Sequence, residues 1–152
     1  MTPMPDLPHL AYVTALLTGA ALLGGLLGLE RERLQKPAGL RTHMLVSLGA
    51  AVFVLAPREA GMADTDISRI VQGVAAGVGF IGAGTILKNA ETREVEGLTT
   101  AASLWLSAAV GLAMGAELVV VPVVSTVLAL SILMLAGRVQ RMLGVAEPPA
   151  PR

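Results

Sequence analysis

Residues 10–29 read LAYVTALLTGAALLGGLLGL, twenty consecutive residues without a charged side chain. A helix that crosses the hydrocarbon core of a membrane needs about 20 predominantly apolar residues, so this stretch predicts a transmembrane helix. The residues before it contain Asp6 and no Lys or Arg. Because a cleaved signal peptide has a basic leader, we expect residues 10–29 to be a helix of the mature protein.

Similar apolar runs recur along the whole chain. The chain is 54% apolar and 14% charged, with a mean hydropathy of +0.71, whereas soluble domains carry about 25% charged residues. We therefore predict an all-α integral membrane protein with about five transmembrane helices. The predicted organisation is an outside segment 1–9, a transmembrane domain 10–137 with spans at 10–29, 42–56, 67–87, 98–116 and 118–137, and a cytoplasmic Pro-rich tail 138–152.

The placement of basic residues predicts the orientation. Cytoplasmic loops of membrane proteins carry an excess of Lys and Arg. With the N-terminus outside, only Arg58 and Arg69 of the eleven basic residues lie outside, and the other nine lie inside. We therefore predict an N-terminus outside the membrane and a cytoplasmic C-terminus.

Composition argues against several classes of function. The formal net charge is zero, so no overall field attracts nucleic acid. The chain has no cysteine and two widely separated histidines, and its sequence contains no recognisable nucleophile and base pair or metal-ligand spacing. We therefore expect a protein that is not an enzyme and has no cofactor. We expect the lipid bilayer to surround the protein.

An internal repeat is visible when the chain is shifted by 58 positions. The loop pattern Gly39-Leu-x-Thr42 then aligns with Gly97-Leu-x-Thr100, and Gly24 aligns with Gly82. Because the shift covers two spans, both copies enter the membrane in the same direction. The repeat predicts two parallel helical hairpins, with the fifth helix as an addition at the C-terminal end.

Glycine spacing indicates where the helices pack. Small residues four apart let helix backbones approach in a membrane, and the excess of such faces predicts a homodimer or larger assembly. The glycine-rich third span is expected to be central and tightly surrounded, and it is open whether it serves packing or a substrate path and whether it is broken. Trp105 is expected to pack between helices. The glycines concerned are Gly24, Gly28, Gly73, Gly77, Gly79, Gly82, Gly84, Gly111 and Gly115.

Polar residues cluster at the ends of the spans. No ionisable residue lies near the middle of a span, which weakens a deep ion site. Mg²⁺ keeps most of its waters and can pass carbonyls and hydroxyls, so a magnesium path stays open, with Glu30 or Asp66 as the ligand if there is one. Asp66 and Arg69 are close enough along a helix to pair, and capping explains Asp66 equally well. His43 is either a structural histidine or a ligand.

Five motifs together resemble the MgtC/SapB family of membrane proteins. They occur in order between about Gly24 and Gly115. We expect this protein to lack the soluble C-terminal domain of many family members, and Glu94-Val-Glu96 stands where the family often has a basic residue. The motifs are Gly28-Leu-Glu-Arg-Glu32, Ala38-Gly-Leu-Arg-Thr-His43, Asp66-x-x-Arg69, Gly77-Val-Gly-Phe-Ile-Gly-Ala-Gly84 and Gly97-Leu-Thr-Thr-Ala-Ala-x-Leu-Trp105.

The resemblance implies a bacterial inner-membrane protein linked to growth in low magnesium and, in some pathogens, to survival inside macrophages. It favours a regulator that acts through membrane partners such as ATP synthase. The alternative is a small channel or carrier for Mg²⁺ or another small solute. The polar positions that match the family pattern are Glu30, Arg31, Glu32, Arg41, Thr42, His43, Asp66, Arg69, Thr99 and Thr100.

Overall fold

The computed structural model describes residues 6–88 and 95–143. These residues form five helices and one short hairpin of two antiparallel strands, in which Leu87 pairs with Glu96. The predicted all-α architecture with five helices is confirmed. The elements are α1 (Leu7–Arg33), α2 (Leu40–Glu59), α3 (Asp64–Ala83), β1 (Leu87–Lys88), β2 (Val95–Glu96), α4 (Leu98–Gly115) and α5 (Val120–Met142).

Four of the described helices are long and apolar enough to cross a membrane: α1, α2, α4 and residues Val120–Val139 of α5. Helix α3 is not among the four, since its first two turns carry Asp66 and Arg69. It is nevertheless 20 residues long and unbroken, because it is one α-helix from Asp64 to Ala83.

Helix α3 ends four residues before the predicted limit at Leu87. The amide of Gly84 donates to the Phe80 carbonyl (3.1 Å), and the Thr85 hydroxyl donates to the Gly82 carbonyl (2.7 Å), which closes the last turn. Gly97, with a φ of +88°, lies against the Thr85 carbonyl and leaves no room for a side chain. A short strand hairpin therefore takes the place of the last turn of the predicted span.

The packing of the helices follows the repeat. Helices α2 and α4 pack against each other, and α1 and α3 each pack against both of them. This is the arrangement expected of a twofold relation between α1–α2 and α3–α4. Gly24 of α1 lies against the His43 carbonyl of α2, and Gly82 of α3 lies against Ala101 of α4, which are the positions 58 residues on. Helix α5 lies against α1 and α4.

The apolar core is larger on the side of α1 than on the side of α3. Under the 58-residue shift, Leu55 corresponds to Ala113 and Met114 corresponds to Ala56. Smaller side chains therefore face α3. The two buried clusters are Leu16, Ala20, Ala51, Leu55 and Met114 between α1, α2 and α4, and Ala50, Val78 and Ala108 between α2, α3 and α4.

Glycines bring the backbones of α1, α2 and α4 into contact. A Cβ placed on Gly28 would lie 2.8 Å from the Gly39 carbonyl oxygen, closer than real Cβ atoms come. Gly111 and Gly115 of α4 lie still closer to the carbonyls of Ser47 and Ala51 on α2. The central contact of the bundle is therefore between α2 and α4.

Two expectations about packing are wrong for the single chain. Helix α3 is not the central, tightly surrounded helix, since a Cβ on Gly73, Gly77 or Gly79 would meet no described atom within 4 Å. Its glycines would allow another helix to approach closely, but no described part of this chain lies against Gly73, Gly77 or Gly79. Trp105 is 52% exposed, because α4 turns Ser103 and Ser107 toward the core and Trp105 away from it.

Candidate functional site

Eight of the ten polar residues singled out from the sequence lie at one end of the bundle. We call it the Glu30 end, where α1 ends at Arg33 and where α2 and α4 begin at Leu40 and Leu98. Asp66 and Arg69 lie near the start of α3, at the opposite end. The eight residues are Glu30, Arg31, Glu32, Arg41, Thr42, His43, Thr99 and Thr100.

Glu32 caps the following helix. Its Oε2 atom accepts a hydrogen bond from the Leu40 amide at 2.7 Å. The N-cap residue of α2 is Gly39, which has no side chain to perform this role. A carboxylate at a helix N-terminus also interacts favourably with the helix dipole. Glu32 therefore links the end of α1 to the start of α2.

Arg31 is buried although it is charged. Only 4% of its surface is exposed, and its Nε donates to Glu30 Oε2 at 2.5 Å. A buried charge requires a partner of opposite sign, and a cation in the last turn of a helix is favoured by the helix dipole. The Arg31 and Glu30 pair thus provides charge compensation at the end of α1.

His43 joins α2 to α4. It is fully buried, with Nδ1 2.9 Å from the Gly39 carbonyl oxygen and Nε2 3.0 Å from Ser103 Oγ. Because the carbonyl can only accept, Nδ1 carries a hydrogen. Ser103 Oγ also lies 2.8 Å from the Thr100 carbonyl, so its one hydrogen serves either His43 or Thr100 at a time. The structure thus places His43 in a hydrogen-bonded link between helices.

A seam of buried hydroxyls continues from this histidine into the bundle. Ser47, one turn beyond His43, donates to the Ala20 carbonyl of α1 at 2.7 Å. Ser107, one turn beyond Ser103, is fully buried, and its Oγ has no hydrogen-bond partner among residues 6–88 and 95–143. Sequence analysis did not single out Ser47, although its position four residues after His43 on the same face of α2 was a signal.

Of the four remaining members of the Glu30 end, Thr100 contacts this network through its carbonyl. Arg41 and Thr99 are exposed, and Thr42 is half-buried. The side chain of Thr100 is buried, and its carbonyl accepts from Ser103. In the part of the chain that the structure describes, no three His, Asp or Glu side chains converge on a point where a metal could bind.

The opposite end has polar contacts that sequence analysis missed. The His9 Nε2 atom lies 2.7 Å from Glu59 Oε2, which links the start of α1 to the end of α2. Arg58 donates to the carbonyl of Ala116, just past the end of α4, at 3.3 Å. These pairs are 50 and 58 residues apart, and neither occurs in a motif. Asp66 and Arg69 are exposed, and neither forms an ion pair with another described residue, so the pairing that their spacing allows is not formed.

The sequence that contains these residues matches a known protein family. The model of the MgtC family matches residues 17–142, which include all ten polar positions. The chain belongs to the MgtC family. Protein SrpB of Synechococcus elongatus is 43% identical over 134 residues, which cover 81% of this chain and 74% of SrpB. Protein MgtC of Brucella abortus is 46% identical over 123 residues, which cover 81% of this chain and 50% of that protein.

The name of a third relative states a function. It is called putative magnesium transporter YhiD, from Escherichia coli, and it is 40% identical over 122 residues, covering 75% of this chain and 55% of YhiD. This chain therefore spans about half the length of these MgtC and YhiD relatives and about three quarters of SrpB. No solved structure matches the chain.

Proposed function

We propose that this MgtC-family chain is a non-enzymatic regulator in a bacterial membrane that acts by binding another membrane protein. The observation that supports it most is the contact between α2 and α4. Transporters built from parallel repeats bind their solute where the two repeats meet. In this chain the glycines Gly111 and Gly115 press α4 onto the carbonyls of Ser47 and Ala51 at that junction. The junction is filled by backbone.

The polar groups of the Glu30 end also stabilise the fold. Glu32 caps α2, Glu30 compensates Arg31, and His43 joins α2 to α4. These bonds fix the ends of three helices relative to one another. A rigid arrangement of this kind suits a docking platform, since little ordering is required on binding.

The surface of this platform includes basic and apolar side chains next to the exposed Glu32. Arg33 and Arg41 are exposed beside Leu34, which is 50% exposed, and Leu45, which is 67% exposed. Basic side chains bind acidic segments, and leucines bind apolar helix faces. We therefore expect the partner to present an acidic segment next to a transmembrane helix.

A second candidate function is passage of Mg²⁺ or another small ion. It is favoured by the buried, unpartnered hydroxyl of Ser107 and by the name of the relative YhiD. A hydrated cation could be passed along hydroxyls and carbonyls, with Glu30 or Asp66 at the two ends of the route. This function requires α2 and α4 to separate.

Two measurements on the full chain distinguish the functions. The regulator predicts co-purification with a membrane partner, which is lost in Arg33→Glu with Arg41→Glu and retained in Arg138→Glu. Arg138 is an exposed control on α5 at the same end. It also predicts no Mg²⁺ flux in proteoliposomes above that of protein-free vesicles. Flux that depends on the protein and falls in Glu30→Gln would refute the regulator and support the carrier.

A further inference from the structure

An apolar groove runs between α2 and α3. Its volume is about 780 Å³, and its lining includes Phe53 and Ala56 of α2 and Gly73, Gly77 and Ile81 of α3. The repeat explains why it is open. At the equivalent place in the other half, Met114 fills the space against Gly19. The 58-residue shift puts Ala56 at the position of Met114 and Gly77 at the position of Gly19, so no side chain fills the groove.

The rest of the bundle covers the equivalent face and leaves this one open. Helix α5 lies against α1 and α4, which correspond to α3 and α2 in the repeat. Residues 6–88 and 95–143 contain no sixth helix to complete the symmetry. The face of α3 beside the groove is thus the counterpart of a surface that a helix already occupies.

The charged residues on this face of α3 indicate what it can bind. Asp66, Arg69, Gly73, Gly77 and Phe80 are spaced by three or four residues, so they lie on one side of α3. Phe80 is 84% exposed, and Asp66 and Arg69 have no ion-pair partner among the residues described. An acid and a base three residues apart therefore give this face a group of each sign that can pair with the opposite charge of a molecule alongside.

We infer that a second copy of this chain binds here, with its own α3 alongside and the twofold axis parallel to the helices. Asp66 then pairs with the partner's Arg69, and Arg69 pairs with the partner's Asp66. The two residues are offset by about 4.5 Å along the helix, a distance that an arginine side chain easily covers. Such a face is self-complementary, as a twofold interface must be. Gly73 and Gly77 allow the two backbones to approach.

A lipid chain could fill the groove, but it does not explain why an acid and a base lie three residues apart beside it. A second copy satisfies both at once, which is why the observations favour it over lipid. The inference holds whether the chain regulates a partner or carries an ion by way of Glu30, because the groove and α3 lie away from the Glu30 end and from the contact of α2 with α4.

Single cysteines test the contact directly, since the natural chain has none. We expect Gly77→Cys to form a disulfide-linked dimer in native membranes under mild oxidation, as two Cβ atoms at a twofold axis come within disulfide reach. Gly79→Cys is the matched control. A Cβ there also meets no described atom within 4 Å, but it lies on the other side of α3. Equal cross-linking at both positions, or none at Gly77→Cys, would overturn the inference.

Charge exchange tests the pairing. In Arg69→Asp the like charges should weaken dimer formation by about tenfold or more, measured by energy transfer between labelled copies in liposomes. Arg69→Asp with Asp66→Arg should restore it, whereas Ser68→Asp, which faces away, should leave it unchanged. Failure of the double variant to recover would show that lipid or another protein covers the face. All variants alter exposed side chains, and membrane insertion is checked in each.

Discussion

Replacing Gly111 with alanine tests the contact on which the central packing depends. A Cβ at this position would overlap the Ser47 carbonyl of α2, whereas an ordinary contact begins at 3.4 Å. Neither backbone can move independently, because Gly115 and Ala51 are in contact one turn further on. We therefore expect α2 and α4 to separate by about 1 Å, at a cost of about 1–3 kcal/mol, as for other overpacked interiors.

The cost is large for a membrane helix pair because lipid supplies no compensating hydrophobic force. A gap of about 0.5–1 Å alone loses a quarter to a half of the dispersion energy of the atoms that line it. The contact between Gly111 and Ser47 lies in the middle of this pair, so the loss extends along both helices.

The free energy of unfolding in mixed detergent micelles measures the effect, followed by helical circular dichroism against the denaturing detergent. The matched control is Gly49→Ala on α2, where a new Cβ meets no described atom within 4 Å. It should be neutral, or stabilising by about 0.5–1 kcal/mol, because alanine favours a helix more than glycine does. If both variants had the same stability within error, the close contact of α2 with α4 would be refuted.

Three further predictions concern single hydrogen bonds or turns. Glu32→Ala should cost about 0.5–2 kcal/mol through loss of the α2 cap, and Glu32→Gln, which can still accept, should cost less in the same unfolding assay. Ser103→Ala should lower the free energy of unfolding by about 1–3 kcal/mol, because it leaves a buried histidine nitrogen unpaired. Ser107→Ala should be neutral or stabilising. If Ser107→Ala were the more destabilising of the two, the hydrogen bonding described here would be contradicted. Gly97→Ala should lose more stability than Gly61→Ala, since both have positive φ but only Gly97 lies against a carbonyl; equal losses would show that the contact is unimportant.

The helices could be predicted from the sequence because length and absence of charge are properties of a continuous stretch. Residues 10–29 specify α1 in this way, and the Gly-Leu-x-Thr repeat specifies how the hairpins pair. The end of α3 was misplaced because Ile86 and Leu87 are apolar, and apolar character alone does not distinguish a last helical turn from a short strand. Gly84 and Thr85 just before them were the available signal.

Part of the site could be predicted because its residues are close together in the sequence. Glu30, Glu32 and His43 lie in two segments joined by a tight loop, so chain connectivity alone brings them together. Ser103 lies 60 residues from His43, and only the packing of α2 on α4 shows that they bond. Trp105 was expected to pack between helices, but which side of α4 it occupies depends on the small residues Ser103, Ser107 and Gly111 facing α2.

The two hairpins have one topology but different side chains, and this difference has a consequence for assembly. In the first, Leu55 and Met114 fill the space beside α1, and α5 covers the outside. In the second, the corresponding residues are Ala113 and Ala56, and the space beside α3 stays open. A repeat that had only to fold would gain by filling both halves alike. A second copy on that face, as we propose, would explain why one half stays small beside an acid and a base that have no ion-pair partner among the described residues.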